Sequence, residues 1–149
     1  MGVQNEVELD EVRMEEDWEG TEESRDVTLP LLLDQVERVF AADGLLARRF
    51  PQYQVRRQQV ELCQAILTSF LRGEHLMAEA GTGVGKSFAY LVPAALWARQ
   101  NNTRVAISTN TINLQEQLIQ KDIPDLCAAM GIDLQACVLK GRAHYLCPR

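Results

Sequence analysis

A glycine-rich turn between a short apolar segment and a long apolar helix constrains this chain more than any other feature. Glycines allow positive φ values and a close approach of backbone N–H groups to an anion. The helix that follows presents the positive end of its dipole to the same place. The pattern therefore predicts a loop that surrounds the phosphates of a nucleotide, lined by Ala80, Gly81, Thr82, Gly83, Val84, Gly85, Lys86 and Ser87.

Two side chains of this loop supply its chemistry. Lys86 is expected to reach the β and γ phosphates of ATP as the catalytic cation, and the Ser87 hydroxyl is expected to ligate Mg²⁺. The strict form of the pattern has glycine at the position of Ala80, where a small residue fits if its φ is negative. The alternative is a flexible connector with a coincidental lysine, which the apolar segments on both sides disfavour.

Alternating apolar segments indicate an α/β domain with a parallel sheet and flanking helices. Strands are predicted over residues 75–79, 104–108 and 136–139. Helices are predicted over residues 28–40, with Thr28 as the cap, then over 45–50, 56–71 and 87–99, the last bent at Pro93, and from 111 onward with an interruption near Pro124.

Charge divides the chain near residue 26. Residues 1–26 hold eleven acidic and two basic side chains, whereas the remaining 123 residues hold 10 acidic and 13 basic ones. A segment this acidic and this poor in apolar residues cannot bury enough surface to order itself. We therefore expect a disordered acidic tail over residues 1–26 and a domain over residues 27–149. A solvated extension is the favoured interpretation of the tail, and the alternative is an arm that mimics nucleic acid or contacts a protein.

Cysteine usage and hydropathy favour a cytoplasmic protein. The four cysteines form no CxxC pair, and the acidic N-terminus lacks the basic region of a secretory signal. The longest apolar stretch, residues 88–98, is too short to span a membrane, so no membrane contact is expected. Cys63, Cys127 and Cys137 are predicted to be small core residues.

Four segments, in this order and spacing, resemble superfamily 2 DNA helicases of the XPD/DinG type, and bacterial DinG most closely. They are Tyr-Gln-Val-Arg-Arg-Gln-Gln at 53–59, Glu-Ala-Gly-Thr-Gly-Val-Gly-Lys-Ser at 79–87, Ile-Ser-Thr-Asn-Thr-Ile-Asn-Leu-Gln-Glu-Gln-Leu at 107–118 and Lys-Gly-Arg-Ala-His-Tyr-Leu-Cys-Pro at 140–148. The resemblance implies an incomplete RecA-like P-loop NTPase domain. It also implies ATP-driven 5′ to 3′ translocation on single-stranded DNA and unwinding of duplexes.

The resemblance assigns the first segment to the nucleotide base. Gln59 would contact the adenine edge, because a side-chain amide donates and accepts at once. Arg56 would lie close to the nucleotide, and Arg57 stands where the family usually has proline. The alternative, which the spacing disfavours, is an ordinary polar residue on an exposed helix face.

The third and fourth segments are assigned to DNA and to a metal cluster. Ser108, Thr109, Asn110 and Thr111 would contact the phosphates of single-stranded DNA, although the same residues are good helix caps. Cys147 would be the first of four thiolate ligands of a [4Fe–4S] cluster, with His144 where the family has Asn.

Several parts of a complete motor are not found in these 149 residues: an acidic Walker B pair, an arginine finger, a second motor domain and three further cysteines. We therefore expect an N-terminal fragment of a helicase that binds ATP weakly and hardly hydrolyses it. Two alternatives remain. One is a short, non-hydrolysing nucleotide-binding module whose acidic arm recruits a partner. The other is a different P-loop ATPase or kinase, which would leave the other three segments unexplained.

Overall fold

The structure, a computed structural model, describes residues 29–141. Apolar periodicity and glycine caps determine the architecture of this range. Within this range the chain forms six α-helices and one π-helical turn. The helices are α1 (Leu29–Phe40), α2 (Leu45–Arg49), α3 (Arg57–Arg72), α4 (Lys86–Asn101), α5 (Ile112–Gln117) and α6 (Ile123–Met130), and the π-helical turn is Leu118–Asp122, between α5 and α6.

Helices α1, α3 and α4 confirm their predictions from the sequence to within two residues at each described end. The cap that ends α3 is Gly73, whose φ of 63° places it in the left-handed region, as the sequence predicts. Helix α4 continues across Pro93 to Asn101 without a break. All residues from 91 to 96 are buried, which agrees with the apolar composition of this helix. The predicted cap Thr28 lies outside the described residues.

The core forms where α3 packs on α4 and α1 covers both. Helix α2 packs on α6, and an ion pair between Arg49 Nη2 and Asp125 Oδ1 at 3.3 Å joins them. The rings of Phe50 and Phe88 meet with their centroids 5.7 Å apart and extend the core toward the glycine-rich loop. Fully buried side chains at its centre include Phe40, Leu32, Leu46, Leu67, Leu126, Val36, Val39, Val92 and Cys63. The start of α4, which carries the loop lysine, is therefore packed against the hydrophobic core.

The predicted parallel sheet is not found among residues 29–141. Segments 75–79, 104–108 and 136–139 have no regular secondary structure there. A parallel strand bonds its backbone to neighbouring strands and is covered on both faces. Met77 is fully exposed, and Cys137, which the sequence predicts to be a core residue, is exposed as well. Within the described range these segments have neither paired neighbouring strands nor cover on both faces, so the parallel sheet stays a prediction.

The helical rod formed by α5, the π-helical turn and α6 (residues 112–130) is interrupted just before Pro124, near the position that the sequence predicts. Pro124 lies inside α6, and the change of geometry occurs in the preceding turn, Leu118–Asp122, where the N–H of Ile123 bonds to Leu118 O. Proline has no N–H for the carbonyl four residues before it and collides with that carbonyl. The turn before Pro124 widens accordingly to the π-helical spacing.

Three further predictions fall outside the described residues: the disordered tail over 1–26, the role of His144 and the cluster ligand Cys147. Within residues 29–141, no helix is long and apolar enough to cross a membrane.

Candidate functional site

The glycine-rich loop turns through two left-handed glycines before α4 begins. Gly83 has a φ of 80° and Gly85 a φ of 82°, whereas Gly81 is not in the left-handed region. Ala80 is not in that region either, since Asn102 is the one described non-glycine residue with positive φ. The condition under which alanine fits at position 80 is therefore met.

Lys86 closes the loop from inside. It is the first residue of α4, and its Nζ donates to Ala80 O at 2.7 Å and to Gly81 O at 3.0 Å. The exposed ammonium therefore lies against the loop backbone, close to the positive end of a 16-residue helix. This combination of cation, helix end and left-handed glycines favours a polyanion.

Gln59 fixes the far end of the loop. Its side chain is buried, and Nε2 donates to Gly85 O at 2.8 Å. The fit is close, because a Cβ on Gly85 would overlap with Gln59 Nε2 and lie 3.2 Å from its Cδ. The Oε1 of Gln59 is buried without a hydrogen-bond partner in the described residues. An unsatisfied buried acceptor is costly and favours a bound donor.

Arg56 accompanies Gln59 at the start of α3. It is the N-cap of that helix, and its Nη1 lies 3.4 Å from the position of a Cβ on Gly85. Burial raises the pKa of the Tyr53 hydroxyl, and the positive charge of Arg56 lowers it in part. The structure thus brings Arg56 and Gln59 to the loop, although at least 20 residues separate these two side chains from the loop in sequence.

Ser87, the predicted Mg²⁺ ligand, is half-buried and contacts a residue that the sequence did not single out. Burial raises the pKa of the Tyr90 hydroxyl, a hydrogen bond from the Ser87 side chain lowers it in part, and the negative charge of Asp122 raises it. Asp122 is itself buried and accepts from Gln117 Nε2 at 3.0 Å. The sequence around it, Leu-Ile-Gln-Lys-Asp-Ile-Pro over residues 118–124, carries no clear signal of this burial.

Two cavities border the loop. One of about 300 Å³ runs along Ala80, Gly81 and Val84. The other, of about 410 Å³, is lined by Lys86 and Ser87 of the loop, Tyr90 of α4 and Leu114 of α5, with apolar residues of α3. Helix α5 therefore shares a cavity with the nucleotide loop.

Segment 108–111, the predicted DNA contact, is held by local bonds. The Thr111 hydroxyl caps α5 by accepting from Leu114 N at 3.3 Å, and the Thr109 hydroxyl donates to Thr111 O at 3.3 Å. Ser108 and Asn110 are exposed. The capping role that the sequence left open is thus the one the geometry shows for Thr111.

Two of the described cysteines, Cys63 and Cys127, do not fit a metal cluster. Burial raises the pKa of Cys63 to about 12, so this thiol stays protonated at neutral pH. Burial also raises the pKa of Cys127. Residues 29–141 contain no group of three or more His, Cys, Asp or Glu side chains that could hold a metal ion.

A glycine-rich loop that leads into lysine and serine at the start of a helix is typical of P-loop proteins. Residues 56–145 match the family model described as DEAD/DEAH box helicase, and the chain belongs to this family. Membership implies the RecA-like P-loop fold.

Relatives confirm the resemblance to DinG-type helicases. The ATP-dependent DNA helicase YoaA of Haemophilus influenzae is 36% identical over 114 residues, 76% of this chain and 17% of that protein. The ATP-dependent helicase DinG of Mycobacterium tuberculosis is 46% identical over 96 residues, 62% of this chain and 14% of that protein. The 3′-5′ exonuclease DinG of Bacillus subtilis is 37% identical over 102 residues, 68% of this chain and 11% of that protein.

This chain therefore spans less than a fifth of the length of these relatives. Their names assign different activities, so the name of a relative does not by itself decide the activity of this protein. No solved structure matches the chain.

Proposed function

We propose that this chain is the ATP-binding part of an ATP-dependent DNA helicase that moves 5′ to 3′ on single-stranded DNA and unwinds duplexes. The observation that carries the proposal is the position of Lys86, whose ammonium lies at the start of α4 and bonds to two carbonyls of the glycine-rich loop. Family membership supports the motor function, and the 5′ to 3′ direction is proposed from the resemblance to DinG-type helicases alone.

The loop residues would divide the work on the triphosphate. Lys86 would exchange its two carbonyl partners for phosphate oxygens, and the first amides of α4 would donate to the same phosphates. The Ser87 hydroxyl would hold Mg²⁺, which screens phosphate charge during transfer. The left-handed Gly83 and Gly85 keep the loop backbone in the shape that these contacts need.

Gln59 would select the base. Since its Nε2 is committed to Gly85 O, the unpaired Oε1 is the atom left for a ligand. A carbonyl oxygen accepts only from a donor, which adenine offers at its exocyclic amine and guanine does not offer at O6. Arg56, beside the same glycine, would lie close to the nucleotide.

DNA contact would fall on segment 108–111. Thr111 is engaged as a cap, so the exposed Ser108 and Asn110 are the stronger candidates for phosphate contacts. The [4Fe–4S] cluster would take Cys147 as a ligand. A cytoplasmic location follows from the proposed work on DNA.

Replacing Lys86 by Ala in the complete gene product tests the proposal. Loss of the only cation inside the described loop should reduce ATP hydrolysis by about 100-fold or more, because electrostatic stabilisation of the transferred phosphoryl group is lost. Steady-state hydrolysis and strand-separation assays measure the effect. The matched control is Lys121→Ala, at an exposed lysine outside the loop. Unwinding that survives in Lys86→Ala would reject the assigned role.

A further inference from the structure

Helix α4 begins without a side-chain cap, although it carries the lysine of the nucleotide loop. Its N-cap is Gly85, which has no side chain to accept from the amides of the first turn. Such a turn frays unless contacts from other elements hold it. Gln59 supplies one of these contacts by donating from α3 to Gly85 O. The position of Lys86, the first residue of α4, therefore depends on the contacts that hold this turn.

Phe88 supplies a second contact, on the other side of the same turn. It is the second residue after Lys86, which places the two side chains about 200° apart around the helix axis. The ring of Phe88 meets that of Phe50 with centroids 5.7 Å apart and an angle of 51° between the ring planes. Tilted aromatic pairs at this distance attract each other beyond the effect of burial. The contact therefore holds one side of the turn while Lys86 bonds to the loop on the other.

Phe50 is itself fixed by its neighbours. Its N–H donates to Leu46 O at 2.9 Å, and its carbonyl accepts from Tyr53 N at 2.9 Å. Arg49 Cζ lies 5.8 Å from the centre of the Phe50 ring, and Arg49 Nη2 pairs with Asp125 Oδ1 of α6 at 3.3 Å. Because both its backbone and its ring have partners, Phe50 is a rigid support for the start of α4.

We propose that Phe50 and Phe88 are positioning residues of the nucleotide site. The inference rests on the proposed function. The contact between the two rings fixes the rotation and tilt of the first turn of α4, and with them the Lys86 ammonium and the amides that would donate to phosphate. A small displacement of these groups weakens their stabilisation of the transferred phosphoryl group more than their binding of ATP in the ground state. The ring contact therefore acts mainly on kcat.

The test compares Phe50→Leu and Phe88→Leu with the unsubstituted complete gene product. Each variant removes the ring contact and keeps an apolar side chain at a half-buried position. We expect kcat for ATP hydrolysis to fall about fivefold in each variant, while KM for ATP changes by less than about twofold. The double variant should lose no more than the larger single loss, because all three lack the same contact. Phe50→Tyr keeps the ring and should retain the full kcat.

A second aromatic pair gives the matched control. Phe70 of α3 and Trp97 of α4 meet with centroids 5.8 Å apart and the same angle of 51° between the ring planes. Trp97 is the eleventh residue after Lys86, which places it about 16 Å further along the helix. Phe70→Leu should therefore lower the melting temperature about as much as Phe50→Leu does and leave kcat unchanged. All assays run below the melting temperature of every variant, so that a loss of kcat reports on the site.

Four outcomes bear against these expectations. Unchanged kcat in both Phe50→Leu and Phe88→Leu would overturn the inference, as would losses that add in the double variant. A loss of kcat in Phe70→Leu equal to that in Phe50→Leu would overturn it too, because it would indicate a general effect of stability. Phe50→Tyr with as little activity as Phe50→Leu would show that the ring is not the group that matters. Absence of ATP hydrolysis in the unsubstituted protein would instead reject the proposed function itself.

Discussion

The nucleotide loop and segment 108–111 both follow a predicted strand and precede a helix, yet they are held in different ways. In the loop, Gln59 reaches across from α3 to bond Gly85, and Val84 is buried. In segment 108–111 the bonds are local, from Thr109 to Thr111 and from Leu114 to Thr111. The comparison indicates that the packing of α3 on α4 organises the loop in advance, whereas the segment takes its shape from its own helix cap.

The largest effect that would test this comparison is expected for Gly85→Ala. The new Cβ would overlap with Gln59 Nε2 at a φ of 82°. Left-handed strain costs about 1–2 kcal/mol, and loss of the Gln59 contact adds a similar amount. Together they should weaken ATP binding on the order of 100-fold. Isothermal titration calorimetry measures the affinity.

A matched control for Gly85→Ala is Gly73→Ala. Gly73 has a φ of 63° and nothing within 4 Å of the added Cβ. The substitution Gly73→Ala therefore introduces the same backbone strain without touching the loop. It should lower the melting temperature and leave ATP affinity unchanged. Equal affinity losses in both variants would show that the support by α3 is unimportant.

A smaller effect is expected for Gln59→Leu. The change keeps most of the buried volume but removes the donor to Gly85 O and the unpaired Oε1. We expect ATP affinity to fall roughly tenfold, because the free energy lost with one buried hydrogen bond corresponds to about this factor. The preference for ATP over GTP should disappear with it. Competition binding of the two nucleotides measures both effects.

The neighbouring exposed Gln58 gives the matched control. Gln58→Leu makes the same change from glutamine to leucine at a side chain that does not contact Gly85. Its nucleotide preference should equal that of the unsubstituted protein. If the unsubstituted protein binds GTP as tightly as ATP, Gln59 does not select the base.

The sequence predicts well those parts of the fold that local chemistry determines. Helix α3 ends where Gly73 provides a left-handed cap, and α4 is buried because nearly all its residues are apolar. The loop glycines also behave as predicted at Gly83 and Gly85, although not at Gly81. In each of these cases the determining group lies within a few residues of the structure it determines.

Features that depend on distant groups were not predictable in this way. Whether residues 75–79 form a strand depends on neighbouring strands. The described residues contain no such strand, and Met77 in this segment is fully exposed. The π-helical turn depends on the missing N–H of Pro124. The burial of Asp122 and its effect on Tyr90 depend on how the helical rod packs on α4. Residue spacing alone carries no signal for such packing.

The smallest effect is expected for Thr111→Ala, on the local side of the comparison. The variant removes the acceptor for the Leu114 N–H, which should cost about 1 kcal/mol and speed amide exchange at the start of α5 roughly fivefold. Its affinity for oligo-dT should fall less than that of Asn110→Ala, since Asn110 is exposed and Thr111 is already engaged as a cap. Hydrogen exchange and fluorescence anisotropy measure the two effects, and Thr111→Ser should restore both. If Thr111→Ala instead loses as much DNA affinity as Asn110→Ala while its amide exchange stays unchanged, the hydroxyl serves the phosphates rather than the helix.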